Sequence, residues 1–231
     1  MINPILKDVS LAAIVRDEKM NPAGGIEKWL EFTLPFVERA VIVDTGSTDG
    51  TREILEEYAG KYPRMKVFHH KWRGFDEARN FSLRRVKSKF AFVLDADEIL
   101  SSEAGTTQAY SNLAKFMNED GANAYHFPFR HIQFPNEDSP FCGAHNPRLF
   151  LNKKVHYTGD SGETLSCMYG RSYITDEDSI YIAHFLPKYE AKQSKFRSWY
   201  GTKSFMTVSP TKSAKQYGLK EYNPRREEFK L

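Results

Sequence analysis

The chain has only two cysteines in 231 residues, Cys142 and Cys167. They stand far apart and form no CxxC pair, which excludes a disulfide framework and gives no zinc-site spacing. Long apolar runs are equally scarce. No segment approaches the roughly 20 residues needed to cross a bilayer. Val9 to Val15, ended by Arg16, is too short for the apolar part of a secretion signal. Charge of one sign is lacking too: 33 Lys and Arg face 30 Asp and Glu, a formal net charge of +3. A nucleic-acid binder gathers its cations on one face, and so small an excess argues against one. It suits a phosphate-bearing ligand or an anionic membrane surface instead. No repeat of fixed period and no low-complexity tract occurs. GxxxxGK[ST] and GxGxxG are both missing, so neither a P-loop nor a dinucleotide fold is supported. These absences lead to the expectation of a cytoplasmic protein with no transmembrane segment and no nucleic-acid partner, for which a peripheral place at a membrane stays open.

What is present is a globular composition, 40% hydrophobic and 14% aromatic, and a repeated order of elements. Ser10–Val15 is a buried-strand pattern followed by a charged turn, Arg16 to Lys19. Ile26, Trp29, Leu30, Thr33 and Leu34 then recur at helical spacing up to Val37, with Pro35 ending or kinking the helix. Ala40–Val43 predicts a second strand, Thr51 to Tyr62 a helix, Met65–Phe68 a strand, Asp76 to Val86 a helix and Phe90–Leu94 a fourth strand. Strands alternating with helices in units of about 25–30 residues predict right-handed crossovers and a mostly parallel sheet. Beyond residue 100 the pattern loosens. A helix over Tyr110 to Asn118 and strands over Ala124 to Phe129, Pro147 to Leu151 and Ser179 to Ala183 suggest a smaller mixed or antiparallel part. Lys188 to Phe205 has helical character, and 207–231 reads as a polar tail.

Two turns carry chemistry. Asp95, Asp97 and Glu98 crowd the end of an apolar strand, where their mutual repulsion calls for a cation or a proton. Hard oxygen donors in alternation suit Mg²⁺ or Mn²⁺ bridging a substrate's phosphates; a solvated acidic turn is the plain alternative. Asp44-Thr-Gly-Ser-Thr-Asp-Gly-Thr51 also follows a buried strand and opens a helix. Ser47, Thr48 or Asp49 can cap that helix, and backbone amides at a helix start can meet an anion. In open α/β sheets such strand ends are where ligands bind.

Taken together, VIVDTGSTDGT at 41–51, WRGFDEARNFSL at 72–83 and FVLDADEIL at 92–100 closely resemble family 2 glycosyltransferases, and are similar to the lipopolysaccharide-core glucosyltransferase branch. The resemblance is strong over residues 9–100 and traceable to about 190. It implies an α/β, GT-A-like single domain over 1–206, with a nucleotide-binding half (9–100) and an acceptor-side half (101–206). It also implies a nucleoside-diphosphate-sugar donor, UDP-sugar favoured, and inversion at the anomeric carbon. The acceptor that the resemblance implies is a glycan, lipid-linked or protein hydroxyl.

The same resemblance implies the site. Arg16 belongs to the charged turn after the first strand, and Asp44 with Thr45 forms the nucleotide turn, where many members carry two consecutive acids. Arg79 and Asn80 match an ArgAsn pair whose Arg can reach the diphosphate. Asp95 and Asp97 match the family's metal motif, with Asp97 the principal ligand of Mn²⁺ or Mg²⁺ and Asp95 nearer the ribose or sugar, and His184 is a late strand-end ligand. Arg148-Leu-Phe150 followed by Tyr157 to Glu163 resembles an acceptor segment in which Glu163 is the candidate base and Asp160 its rival; Gly162 stands where the family has His. A nucleotidyltransferase is the competing enzyme reading, although Arg16 to Lys19 does not resemble its basic, Gly-rich loop. A non-catalytic domain that binds nucleotide or glycan is the third.

Overall fold

The computed structural model describes residues 5–133, 137–142, 147–159, 164–166, 170–176 and 179–186. The first half alternates as the periodicity predicts: β1 (Leu6–Val15), α1 (Ile26–Thr33), β2 (Val37–Asp44), α2 (Thr51–Lys61), β3 (Met65–His69), α3 (Phe75–Leu83) and β4 (Phe90–Val93). Then follow β5 (Glu98–Ser101), α4 (Thr106–Asp120), β6 (Ala124–His126), β7 (Phe129–Gln133), β8 (Glu137–Cys142), β9 (Leu149–Leu151), β10 (His156–Thr158), β11 (Thr164–Ser166), β12 (Ser172–Ile174) and β13 (Tyr181–Leu186). The main sheet has seven strands in the order β12-β6-β9-β4-β1-β2-β3. All its pairings are parallel except those of β9, which runs antiparallel to both β4 and β6. A second sheet of four strands has the order β5-β13-β7-β8, and β10 with β11 forms a separate hairpin.

Alternation along β1 builds two cores, because successive side chains of a strand face opposite sides of the sheet. Leu11, Ala13 and Val15 pack with Trp29 and Leu30 of α1, Leu55 of α2, and Tyr110 and Leu113 of α4. Ala12 and Ile14 pack with Val41, Val43, Ala78 and Leu83 of α3, and Tyr157 and Leu165 of the hairpin. Each large apolar side chain sealed in this way contributes about 1.5–3 kcal/mol.

Prolines shape two segments, the first as expected and the second not. The first helix stops at Thr33 and continues as a single 3-10 turn, Leu34–Phe36, because Pro35 has no N–H to donate back along the helix. The strand expected over Ala124 to Phe129 is two strands in different sheets, β6 and β7, divided at Phe127-Pro128. Pro128 uses its carbonyl instead, accepting from the Ile182 N–H of β13 at 2.9 Å. The strand predicted from Pro147 is also corrected: β9 lies inside the main sheet, not in a peripheral part. The helical stretch expected at Lys188 to Phe205 and the tail at 207–231 lie outside the described residues.

Candidate active site

The carboxyl ends of β1, β2 and β4 lie side by side, as the parallel register Val15↔Asp44 and Ala12↔Val93 requires. The turns leaving β1 and β2 are stitched to each other. Thr45 N–H donates to Val15 O at 3.0 Å and Asp17 N–H to Ser47 Oγ at 3.0 Å. Thr48 N–H donates to Asp17 Oδ1 at 2.7 Å, Glu18 N–H to Thr51 Oγ1 at 2.8 Å, and Lys19 N–H to Asp49 Oδ2 at 2.9 Å. The Ser/Thr/Asp turn thus fastens a neighbouring loop. Only Asp49 also serves α2, accepting from Thr51 N–H at 2.9 Å from one residue upstream of the N-cap. That N-cap is Gly50 and carries no side-chain cap, a correction to the capping expected of Ser47 or Thr48.

Asp44 is fully buried, and both its oxygens are engaged. Oδ1 accepts from Ser47 N–H at 3.0 Å; Oδ2 takes Arg52 Nη2 at 3.1 Å and meets His69 Nδ1 at 3.4 Å. Burial works against its ionisation, but the bonds from Ser47, Arg52 and His69 outweigh burial and hold the carboxyl below its ordinary range. Arg52, half-buried, and His69, exposed, are the members of the group that the sequence reading missed. His69 could have been found from β3, since it is the register partner of Asp44. Thr45 is buried with its hydroxyl donated to Val15 O at 3.1 Å. Arg16, at the end of β1, has a buried Nε with no hydrogen-bond partner, and its nearest carboxylate is Asp17 at 4.0 Å.

The acidic turn after β4 is clamped along its backbone. Asn21 Nδ2 donates to Ala96 O at 2.7 Å, Phe185 N–H to Asp97 O at 2.8 Å and Trp29 Nε1 to Glu98 O at 2.9 Å. Its three carboxylates then diverge. Asp95 accepts from Arg79 Nη2 at 2.6 Å, with Arg148 at 3.9 Å. Burial works to raise the Asp95 carboxyl, but Arg79 and Arg148 overcome it and hold the group below its ordinary range. Glu98, grouped by the sequence with Asp95 and Asp97, is only 1% exposed, while those two are half-buried. It ion-pairs with Arg148 and accepts the Asp95 N–H at 3.0 Å. Burial raises the Glu98 carboxyl well above its usual range; Arg148 opposes that rise, and Asp95 and Asp97 add to it. Asp97 faces His184 of β13, whose Nε2 is 3.9 Å from Asp97 Oδ1.

Arg79 and Asn80 both engage groups of the protein itself. Arg79 is buried on α3 and turned to Asp95. Asn80 exchanges a pair of bonds with the Tyr157 backbone, Nδ2 to Tyr157 O and Tyr157 N–H to Oδ1, each 2.8 Å. Helix α3 therefore ties the acidic turn to β10, at the base of the segment that carries Asp160 and Glu163. Those two residues lie outside the described residues. Arg148, just before β9, is a further residue of the cluster whose place the sequence did not reveal; the RLF segment was the signal for it. Among the described residues no three His, Cys, Asp or Glu side chains converge on one point, so a cation here would draw on Asp97 and His184 and complete its shell from ligand oxygens and water. No helix of the described residues is long and apolar enough to cross a membrane.

The described fold is similar to that of S. aureus TarS in complex with UDP-GlcNAc, at a TM-score of 0.57 and 15% identity over 77% of this chain and 58% of that one. It is also similar to the mannosyltransferase PcManGT of Pyrobaculum calidifontis in complex with GDP-Man and Mn²⁺, at 0.54 and 16% over 84% and 62%. Both are GT-A structures, and GT-A is the fold of this chain. In sequence, a cholesterol galactosyltransferase of Borreliella burgdorferi is 34% identical over 80 residues, 35% of this chain and 22% of that protein. The lipopolysaccharide core biosynthesis glycosyltransferase LpsC of Rhizobium meliloti is 37% identical over 60 residues, 26% of this chain and again 22% of the relative. The chain thus spans about a fifth of the length of these curated relatives. Residues 33–177, more than half of the chain, match the model described as "Glycosyl transferase family 2", and with the GT-A sheet and its two strand-end turns this establishes that the chain belongs to glycosyl transferase family 2.

Proposed function

We propose that the chain is a metal-dependent inverting glycosyltransferase, moving a sugar from a UDP-sugar to an acceptor hydroxyl. The observation that carries this reading is the division of labour among the carboxylates after β4. Asp95 and Glu98 are held by Arg79 and Arg148, while Asp97 is set toward His184, 3.9 Å away. A carboxylate oxygen and an imidazole nitrogen at that separation fit two ligands of one Mn²⁺ or Mg²⁺ ion; the carboxylate suits both ions, and the imidazole favours Mn²⁺. When bound, the ion supplies the charge that neutralises a departing diphosphate.

The nucleotide half falls at the ends of β1 and β2. Asp44 fixes Arg52 and His69, and through them the floor on which a base would rest. Arg16, whose buried Nε makes no hydrogen bond and has Asp17 at 4.0 Å, offers a donor to an anionic ligand. Arg79 holds Asp95 in place toward the ribose or sugar. In the transfer step the acceptor oxygen attacks the anomeric carbon, the bond from that carbon to the phosphate oxygen breaks, and the acceptor proton passes to a carboxylate, preferably Glu163, with Asp160 as rival. The acceptor is a glycan, lipid-linked or protein hydroxyl, and 1–206 is the proposed catalytic unit.

The reading is tested by the thermal shift that UDP produces with and without Mn²⁺. Asp97→Ala is expected to remove the Mn²⁺-dependent part of the stabilisation while leaving the fold intact. Equal stabilisation of mutant and parent, indifferent to chelator, would refute metal-assisted nucleotide binding. Release of pyrophosphate instead of UDP during turnover would favour the nucleotidyltransferase.

A further inference from the structure

His131 has no part in the site described so far, yet it stands directly behind His184. The two residues are register partners on the parallel strands β7 and β13, so their side chains leave the same face of the second sheet. Their Nδ1 atoms are 3.1 Å apart, with ring centroids at 5.1 Å. Phe129, two residues along β7, packs near both rings with centroids 6.2 and 6.1 Å away. Arg148 lies over the Phe129 ring at 5.2 Å. The histidine pair is therefore held in a half-buried pocket and does not wave in solvent.

Two ring nitrogens at 3.1 Å need one hydrogen between them, so one histidine donates and the other accepts. The choice decides what the far side of His184 can do. If His131 donates, His184 Nδ1 accepts, and a neutral His184 carries its proton on Nε2, facing Asp97. If His184 donates from Nδ1, its Nε2 presents a lone pair toward Asp97. Only the second arrangement lets Nε2 bind a cation, and imidazole ligands are commonly fixed in this way through the other nitrogen.

We propose that His131 is a positioning residue for His184: by accepting the Nδ1 hydrogen it selects the tautomer that turns the Nε2 lone pair toward the cation held with Asp97. The proposal rests on the reading of His184 as a ligand. His131 touches neither sugar nor nucleotide; it acts through His184 alone.

The test compares four variants by Mn²⁺ titration in the presence of UDP, followed by electron paramagnetic resonance of free Mn²⁺. Loss of a partner that orients a metal ligand typically weakens metal binding about 10–100-fold. His131→Phe keeps a ring beside Phe129 but cannot accept a hydrogen bond, and should weaken Mn²⁺ on that scale. His131→Asn places an amide oxygen near the position of Nδ1 and should restore affinity to within a few-fold of the parent. His184→Ala should lose at least as much as His131→Phe, and adding His131→Phe to it should cause no further loss. If His184→Ala binds Mn²⁺ normally, the ligand reading itself falls and takes the proposal with it. If His184→Ala fails to bind but His131→Phe binds normally, or His131→Asn is as poor as His131→Phe, only the role of His131 is overturned. Nitrogen-15 shifts of the parent protein with Mg²⁺ and UDP give an answer independent of any variant's folding. They should show His184 protonated on Nδ1, and protonation on Nε2 would refute the proposal.

Discussion

Replacing Arg148 with Met tests how the buried charge is balanced. Arg148 ion-pairs with Glu98, whose side chain is 2% exposed, approaches Asp95 at 3.9 Å and covers the Phe129 ring. Methionine keeps much of the apolar contact and removes the charge. Breaking one partner out of a buried pair costs about 3–5 kcal/mol, since the other charge is left uncompensated. Glu98 has a way to limit that loss, which is to keep a proton. Starting from an ordinary value of 4.5, staying protonated costs about 1.4 kcal/mol for each pH unit above it. In the parent, burial already lifts the Glu98 carboxyl to about 8, so parent and Arg148→Met hold the same proton below that pH. The penalty of Arg148→Met should therefore stay nearly constant from pH 5.5 to 7 and grow toward about 3–5 kcal/mol only as pH rises through and beyond about 8. The sign follows from linkage. Without Arg148 the folded-state Glu98 titrates at higher pH than in the parent. Over that interval the folded mutant holds a proton that the unfolded chain has lost, so its stability falls as pH rises. Urea unfolding of the parent, Arg148→Met, Glu98→Gln and the double variant at pH 5.5 and 9.5, on either side of the parent's Glu98 titration, measures the effect. In the Glu98→Gln background the pH-dependent part should vanish. A penalty below about 1 kcal/mol at both pH values would refute the reasoning, and so would one equal at both and unchanged in the Glu98→Gln background.

Three further outcomes are expected. Asp44 titrates below its ordinary range, so the stability it contributes is present above pH 3.8 and lost as pH falls through its folded value; in Asp44→Asn this part of the acid-unfolding slope should be missing, and UDP should bind more weakly while Mn²⁺ affinity with pyrophosphate is unchanged. Gly25 sits at φ 96, where an added Cβ would lie 2.5 Å from the Lys19 carbonyl oxygen, so Gly25→Ala should lower stability by more than about 1 kcal/mol in urea unfolding. Glu163→Gln should lose on the order of 10²–10⁴-fold in turnover with UDP-sugar binding unchanged; if Asp160→Asn loses that much while Glu163→Gln turns over normally, the base is Asp160.

The first hundred residues were legible because their signals are local. The alternating apolar pattern of β1, the helical spacing of Ile26, Trp29 and Leu30, and the polar turns after β2 and β4 each lie within one short window. The partners of those turns do not. Arg148 reaches Glu98 from 50 residues away and Tyr157 reaches Asn80 from 77. Nothing near Glu98 distinguishes it from Asp97, yet β5 turns Glu98 inward while β13 lies beside Asp97. The strands β6, β9, β10, β11 and β12 are three residues each, too short for period-two alternation to separate them from turns. Their place is fixed by register with distant strands. Histidine 131 went unnoticed for the same reason: its meaning comes from His184, 53 positions later.

The late strand β9 has a consequence for the order of assembly. On the ribosome, β1 to β4 emerge complete with their crossover helices, but one edge of β4 has no neighbour until Leu149–Leu151 arrives to pair Phe90, Ala91 and Phe92. During that interval the growing chain carries an apolar strand with an open hydrogen-bonding edge, a template for pairing with any other extended segment. The strand that closes the edge follows directly on Arg148. Closing the vulnerable edge of the nascent sheet and delivering the cation that neutralises Glu98 are thus one event in the life of the chain, and a protein interrupted before it would be both sticky and miswired in its charge.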